Sequence, residues 1–397
     1  MMKLIRVIVA AIVLVTAMLS ASAQDDSLVI WADDTRAPIL EELGAQFEEE
    51  FGIAVRVDEL GFGDIRDQFK TAAPAGEGPD MIIGAHDWLG ELAVNGLLAE
   101  IDVSDVADDF LGAALSAFVY EGVQYGLPYA AENVAFLRNV DLVPDNPATW
   151  DDVRSVSEQL IADGASKYGF VMFDNNPYHL FPLQSAFGGY VFGLTDEGYN
   201  PEDVGIDSEG SIAAAAYLEA YGADGLMPSG IDYDVMHTMF ETGDAAMIIT
   251  GPWAIPRIEE SGVNFVVDSI PAGPGGSGKP FLGVQGFMIS AFSENQLLAE
   301  AFLFDYIATD ETMSSIYSAD PRPPALLETR DSIEDEIMLG FVAAGTEGLA
   351  MPAIPEMSSV WSAWGNAMQL VRTGELSGEE AFTNAGEQIR ALIAGEE

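Results

Sequence analysis

A chain of 397 residues with 65 acidic and 15 basic side chains, formal net charge −50, presents a surface that repels nucleic acid and anionic lipid. It has no cysteine, which excludes disulfides and a thiol-linked lipid anchor. With 49% hydrophobic against 20% charged residues it reads as globular, and it exceeds the size of one hydrophobic core, so two domains are expected.

Residues 1–23 read as a secretory leader. Lys3 and Arg6 supply the positive start, and Ile8 to Leu19 form an apolar run too short for a comfortable membrane span. Ala21-Ser22-Ala23 matches a small-x-small cleavage site, which makes Gln24 the first mature residue. The other reading of this stretch is an uncleaved anchor. No later segment is apolar for long enough to cross a bilayer. The expectation is a soluble exported protein, periplasmic where an outer membrane exists and otherwise extracellular. The acidic residues are scattered, as in Glu48-Glu49-Glu50 and Asp151-Asp152, and form no disordered tail. Self-repulsion on this scale needs counterions, which fits either a saline medium or an ordinary acidic exported protein.

Ser27 to Ala32 is a β-rich run. Pro38 suits a first helical turn, and Leu40, Leu43, Phe47 and Phe51 recur at helical spacing up to Gly52. Ile53, Val55 and Val57 alternate as a strand does, and Met81 to Ile83 is a short buried strand after Gly78-Pro79. A helix follows from Leu89 to Asn95 and stops at Gly96. This βαβ order predicts a largely parallel sheet. Further on, Trp150 to Ala162 is a helix led by Thr149, Tyr168 to Phe173 a strand, and Ile212 to Tyr221 a helix. Ala245 to Ile249, Val263 to Val267 and Phe281 to Ile289 are strands. Ser293 with Gln296, and Ser377 with Glu380, have capping-box spacing at helix starts. The last helix carries Phe382, Ala385, Ile389, Leu392 and Ile393 on one stripe.

Three tryptophans sit where elements begin or end. Trp88 follows the strand end at Gly84, Trp253 follows the strand Ala245 to Ile249, and Trp361 opens a late helix. Ligands of open α/β sheets bind beyond the carboxyl ends of strands. Flat rings beside carboxylates, such as Asp87 and Glu132, suit a sugar, with its apolar C–H faces and hydroxyl rim. Each indole taken singly also fits a core or an interface.

The segments Leu28-Val29-Ile30-Trp31, Gly78-Pro79-Asp80-Met81-Ile82-Ile83-Gly84-Ala85-His86-Asp87-Trp88 and Gly96-Leu97-Leu98-Ala99-Glu100-Ile101 resemble bacterial maltose/maltodextrin-binding proteins. The likeness continues in order through Asn176-Pro177-Tyr178, Gly188-Gly189-Tyr190, Gly251-Pro252-Trp253-Ala254, Lys279-Pro280-Phe281 and Pro355-Glu356-Met357. Gly84 to Trp88 and Asp320-Pro321-Arg322-Pro323-Pro324-Ala325 are most similar to the maltose- and trehalose-binding branch. The resemblance implies an α/β, two-lobed periplasmic-binding-protein fold of class II, with the ligand between the lobes and three hinge crossings. These fall near Ala131, Leu282 and Pro323, giving one lobe of 24–130 with 283–322 and another of 132–281 with 324–397.

The resemblance also implies site roles. Arg36 matches the basic residue of the first loop, and Asp33 or Asp34 its acidic partner; Asp34 is taken as the sugar ligand. Asp87 matches an aspartate that binds sugar hydroxyls, and Glu132 the acid at the first crossing. Tyr178, Trp253 and Trp361 match aromatic platforms, and Tyr233 an outer-subsite tyrosine. Where Gly84, Trp88, Asn176 and Gly365 stand, the best-known maltodextrin binder has tryptophan, arginine, glutamate and arginine. Trp88 either replaces the stacking lost at Gly84 or covers the following helix from outside. The implied function is sugar capture for an ABC permease and its ATPase by a monomer without cofactor. Maltose, maltotriose, trehalose or another α-glucan would be the ligand.

Other chemistries fit less well. Gly273 to Lys279 imitates a phosphate loop, but Pro280 occupies the position of the required hydroxyl. His86, His179 and His237 lack metal-ligand spacing, and His86 is read as bracing its loop. A secreted glycoside hydrolase using Asp87 and Glu132 is the alternative, since paired carboxylates in a cleft also serve glycosidases. An adhesive or structural role is a third class.

Overall fold

The computed structural model describes residues 27–195 and 198–395; the expected leader and its cleavage site lie outside them. Strand β1 (Leu28–Ala32) opens the chain, and helix α1 (Ala37–Phe51) follows with proline in its first turn. Gly52 ends that helix at φ 73°, a left-handed conformation that costs glycine little. Leu40, Leu43 and Phe47 of α1 are buried against the sheet, as their spacing requires. Strand β2 (Val55–Glu59), helix α2 (Phe62–Ala75), strand β3 (Met81–Ala85) and helix α3 (Leu89–Val94) continue the alternation, and β4 (Gly126–Glu132) joins the same sheet.

The chain then builds a second sheet from β5 (Ala135–Asn139), β6 (Tyr168–Val171), β7 (Ala245–Thr250) and β8 (Phe265–Asp268). Its order is β8-β5-β7-β6. It returns to the first sheet with β9 (Phe281–Ile289) and the short β10 (Leu349–Ala350). In the first sheet β1 is parallel to both β2 and β3, whereas β9 runs antiparallel to β3 and to β4. In the second sheet β7 is parallel to β6 and antiparallel to β5. The expectation of a largely parallel sheet is therefore corrected: both sheets are mixed. Strand direction is set by which sheet the chain arrives from, and local periodicity carries no record of that.

Helices α4 (Trp150–Asp163), α5 (Pro177–Ala186), α6 (Glu209–Ala223), α7 (Tyr233–Glu241), α8 (Glu336–Ala344), α9 (Trp361–Thr373) and α10 (Gly378–Ala394) lie in the later part of the chain. Thr149 with Asp152 and Ser377 with Glu380 form complete capping boxes. Ser293 does not cap a helix. Its hydroxyl donates to Asp80 at 2.5 Å, and the helix starts only at Gln296, whose side-chain amide turns back to the Ser290 and Ala291 carbonyls. In α10, Phe382, Ala385 and Ile389 are buried, while Leu392 is exposed.

Charge is distributed unevenly over this fold. Eleven of the thirteen basic residues among the described residues take part in ion pairs. The remaining two are Lys279 and Arg330.

Candidate functional site

Two strand ends are built alike. After β3 the chain makes one 3-10 turn, His86–Trp88, and after β7 it makes another, Pro252–Ala254. In each case an indole folds back over a glycine. A Cβ on Gly84 would lie 2.0 Å from the Trp88 ring, and one on Gly251 2.1 Å from the Trp253 ring. Only glycine leaves room for this close approach. The difference is exposure: Trp88 is 3% exposed, whereas Trp253 is only partly buried.

The first turn is tied down by His86. Its Nδ1 accepts from the Val284 amide at 3.0 Å, so Nε2 carries the proton and donates to the Met351 carbonyl at 3.1 Å. Burial lowers its pKa to about 4 and keeps the ring neutral. The expected bracing role is thus met by a link to β9 and to the segment after β10. Next to it, burial raises the Asp87 carboxyl to about 6 against the opposing pull of Arg66 and of a hydrogen bond from Trp361. That bond, from the Trp361 indole N–H to Asp87 Oδ2 at 3.1 Å, joins the end of β3 to the first turn of α9.

Beneath the strand ends runs a buried polar chain. Arg36 donates from Nε to Asp33 Oδ1 at 2.8 Å and pairs with that carboxylate a second time through Nη2. Its Nη1 donates to Gln285 Oε1 at 2.9 Å, and Gln285 Nε2 donates to Glu132 Oε1 at 2.9 Å. The other Glu132 oxygen accepts from Arg322 Nη1 at 2.7 Å. Arg322 also donates to Asp320 at 2.6 Å and to the Thr35 hydroxyl at 3.0 Å. Burial alone would raise the Asp33 pKa, but Arg36 and Arg322 outweigh it and hold the carboxyl low. For Arg322 burial disfavours the charge, and Glu132, Tyr129, Asp320 and Asp33 together more than restore it. Paired and hydrogen-bonded in this way, buried charges are tolerated. The choice left open in the first loop is settled for the ion pair: Arg36 pairs with Asp33, and Asp34 is exposed beside it.

Asp33, Thr35, Arg36, Glu132, Gln285 and Arg322 of this polar chain line one cavity of about 650 Å³ between the two sheets. Asp34, Arg36, Asp87, Trp88, Glu132, Tyr178, Tyr233, Trp253 and Trp361 all border it. They differ in access. Arg36 is 1% exposed and Glu132 4%, each with its polar atoms engaged by neighbours, while Tyr178, Tyr233, Trp253 and Trp361 are half-buried with ring surface open. Burial pushes the Tyr178 hydroxyl well above its ordinary range and that of Tyr233 to about 12, so both remain neutral donors. The Arg322 guanidinium lies 5.5 Å from the Trp253 ring centre, within cation–π reach.

Sequence reasoning did not single out four further lining residues: Phe62, Arg66, Gln285 and Arg322. Arg322 sits inside the quoted Asp-Pro-Arg-Pro-Pro-Ala motif, which was the available signal. Phe62 and Gln285 carried none. Asn176, a departure from the best-known maltodextrin binder, caps α5 by accepting from the His179 amide at 3.1 Å. At Gly365 a Cβ would meet Asn175 Oδ1 at 2.3 Å. Half-exposed rings around carboxylates, amides and phenols suit a neutral ligand with apolar faces and a rim of hydroxyls.

Comparison with known proteins agrees with this chemistry. Residues 42–337 match the family described as bacterial extracellular solute-binding protein. The galactooligosaccharide-binding protein of Bacillus subtilis (strain 168) is 30% identical over 94% of this chain and 91% of its own length. The maltotriose-binding protein of Pyrococcus abyssi is 31% identical over 75% of this chain and 66% of its own. The maltodextrin-binding protein MdxE of Bacillus subtilis is 27% identical over 92% and 90%. Among the described residues no helix is long and apolar enough to cross a membrane. A match over most of the chain, on a mixed α/β fold with an aromatic cavity between its sheets, makes this protein a member of the bacterial extracellular solute-binding protein family.

Proposed function

We propose that the protein is the substrate-capturing subunit of an ABC sugar importer, holding a neutral oligosaccharide between two lobes and delivering it intact to the permease. The single observation that carries the reading is the cavity of about 650 Å³ bordered by Tyr178, Tyr233, Trp253 and Trp361 together with Asp34, Asp87 and Glu132. A volume of this order fits a compact ligand of oligosaccharide size. Maltose, maltotriose, trehalose or another α-glucan is the first expectation, and the relative named for galactooligosaccharide adds that class to the candidates.

In this reading the fold is the two-lobed class II arrangement with three hinge crossings. Support comes from the changes of sheet between Glu132 and Ala135 and between Asp268 and Phe281. We place the third crossing after Asp331 and not near Pro323. Ala325 still hydrogen-bonds Tyr129 and Leu111, and beyond that point α8 is the helix that packs on the second sheet, against β8 and β5. Sugar contacts both lobes only when they close, and so favours closure. The leader at 1–23 would be cleaved on export and the mature protein act as a monomer.

The hydrolase alternative loses ground at Glu132. Both of its oxygens are occupied by Gln285 and Arg322, which suits a fixed anion better than a proton shuttle. Calorimetry against malto-oligosaccharides, trehalose and galacto-oligosaccharides tests the proposal. Trp253→Ala and Trp361→Ala should each weaken binding by about 1 kcal/mol or more. Unchanged affinity in both variants refutes the site.

A further inference from the structure

The aromatic rings around the cavity are unevenly shared. Tyr178, Tyr233, Trp253 and Trp361 come from α5, α7, the turn after β7 and α9. Of the aromatic rings among the described residues, the first-sheet side contributes only Phe62 and Trp88 to the lining. Trp88 has no face to offer. One side of its ring rests on Gly84, and Phe62 covers it with a centroid separation of 4.8 Å at 45°. What remains visible is Phe62, which is 39% exposed.

Phe62 is the first residue of α2, between Gly61 and Gly63. An exposed phenyl is unremarkable by itself. This one, however, stands on a cavity wall and packs against two buried neighbours. The Arg36 guanidinium lies 5.1 Å from its ring centre, and that cation is fixed in turn by Asp33 and Gln285. Four residues along the same helix face, Arg66 also borders the cavity and supplies hydrogen-bond donors beside the ring. A rigid flat face with an adjacent donor is the arrangement that recognises a pyranose.

Resting on the sugar-capture reading, we propose that Phe62 is the stacking ring of the first lobe, and that Trp88 and Arg36 are its buried backing and not themselves sugar platforms. One sugar unit would lie against Phe62 while others meet the rings of the second lobe, so that closure grips the ligand between aromatic faces from both sides.

Isothermal calorimetry on the mature protein tests this, with maltotriose and a galactotriose as probes. Phe62→Ala and Phe62→Leu should each raise Kd three- to tenfold for the sugar that the wild type binds. Phe62→Tyr, which keeps the flat face, should stay within twofold. The leucine variant retains apolar bulk over Trp88, so its melting temperature should match the wild type and separate lost stacking from lost folding. Wild-type affinity in Phe62→Leu overturns the assignment, as does a tenfold loss in Phe62→Tyr. A wild type that binds neither probe, nor any other neutral oligosaccharide, overturns the sugar reading itself, an outcome visible before any variant is compared.

Discussion

Replacing Gly84 by alanine probes the packing on which the first wall of the cavity depends. The added Cβ would stand 2.0, 2.4 and 2.6 Å from three carbons of the Trp88 six-membered ring. Real Cβ atoms do not approach so closely, so ring or strand must move. Trp88 is 3% exposed and covered by Phe62, which closes the route by which it could swing clear. Overpacking a well-filled site costs about 1–3 kcal/mol, and a trapped indole belongs at the upper end. For a chain of this length that corresponds to a fall in Tm of roughly 1–4 °C. Differential scanning calorimetry on Gly84→Ala, Trp88→Ala and the double variant isolates the contact. Removing the indole should make the extra methyl harmless, so the two costs should fall short of additivity by about 1 kcal/mol or more. Strict additivity, or a Gly84→Ala protein that melts with the wild type, would refute the reasoning. Gly251→Ala offers a contrast: Trp253 is only partly buried and can move aside, so affinity should suffer more than stability.

Arg322→Ala would leave Glu132 and Asp320 buried without their cation, at a cost of about 3–5 kcal/mol measurable as a lower urea midpoint. The three histidines set an acid limit. Burial holds His86, His179 and His237 at about 4, 3 and 4, below the ordinary 6.5, so as pH falls the unfolded chain takes up protons that the folded one refuses. Stability is lost across that window, while Asp87, raised to about 6, opposes it by accepting a proton earlier when folded. Three groups outweigh one, and the net loss between pH 7 and pH 5 should be on the order of 4 kcal/mol by denaturant titration. An unchanged midpoint would count against the buried neutral imidazoles. Finally, with 65 acidic against 15 basic residues, Tm should rise between dilute buffer and molar salt, and a flat response would remove the saline interpretation.

What could be read from the residues alone follows from what each element displays. Helix α1 shows a solvent face, a buried face and a terminating glycine, and β9 shows a long apolar run; both are visible in a local window. Helix α5 is not, because eight of its ten residues are buried and Pro182 interrupts it, which erases the amphipathic period. Placement at element ends pointed to Trp88, Trp253, Trp361, Asp87 and Glu132, and ordered likeness to a family added Asp34, Arg36, Tyr178 and Tyr233. The site's polar chain joins Arg36 to Gln285 across 249 positions, a pairing no periodicity announces. The tilted contact of Phe62 with Trp88 likewise exists only once β3 and α2 have been brought together.

The scarcity of unpaired cations has a bearing on uptake. Among the described residues eleven of thirteen basic side chains are already paired with a carboxylate, and a formal charge of −50 biases the surroundings of the chain against anions. A phosphorylated or uronic sugar should therefore approach more slowly than an uncharged one, which diffuses in without sensing that charge. Capture rates for the rightful cargo should then be the same in brackish and in strong brine, so that import need not be retuned as the surroundings change.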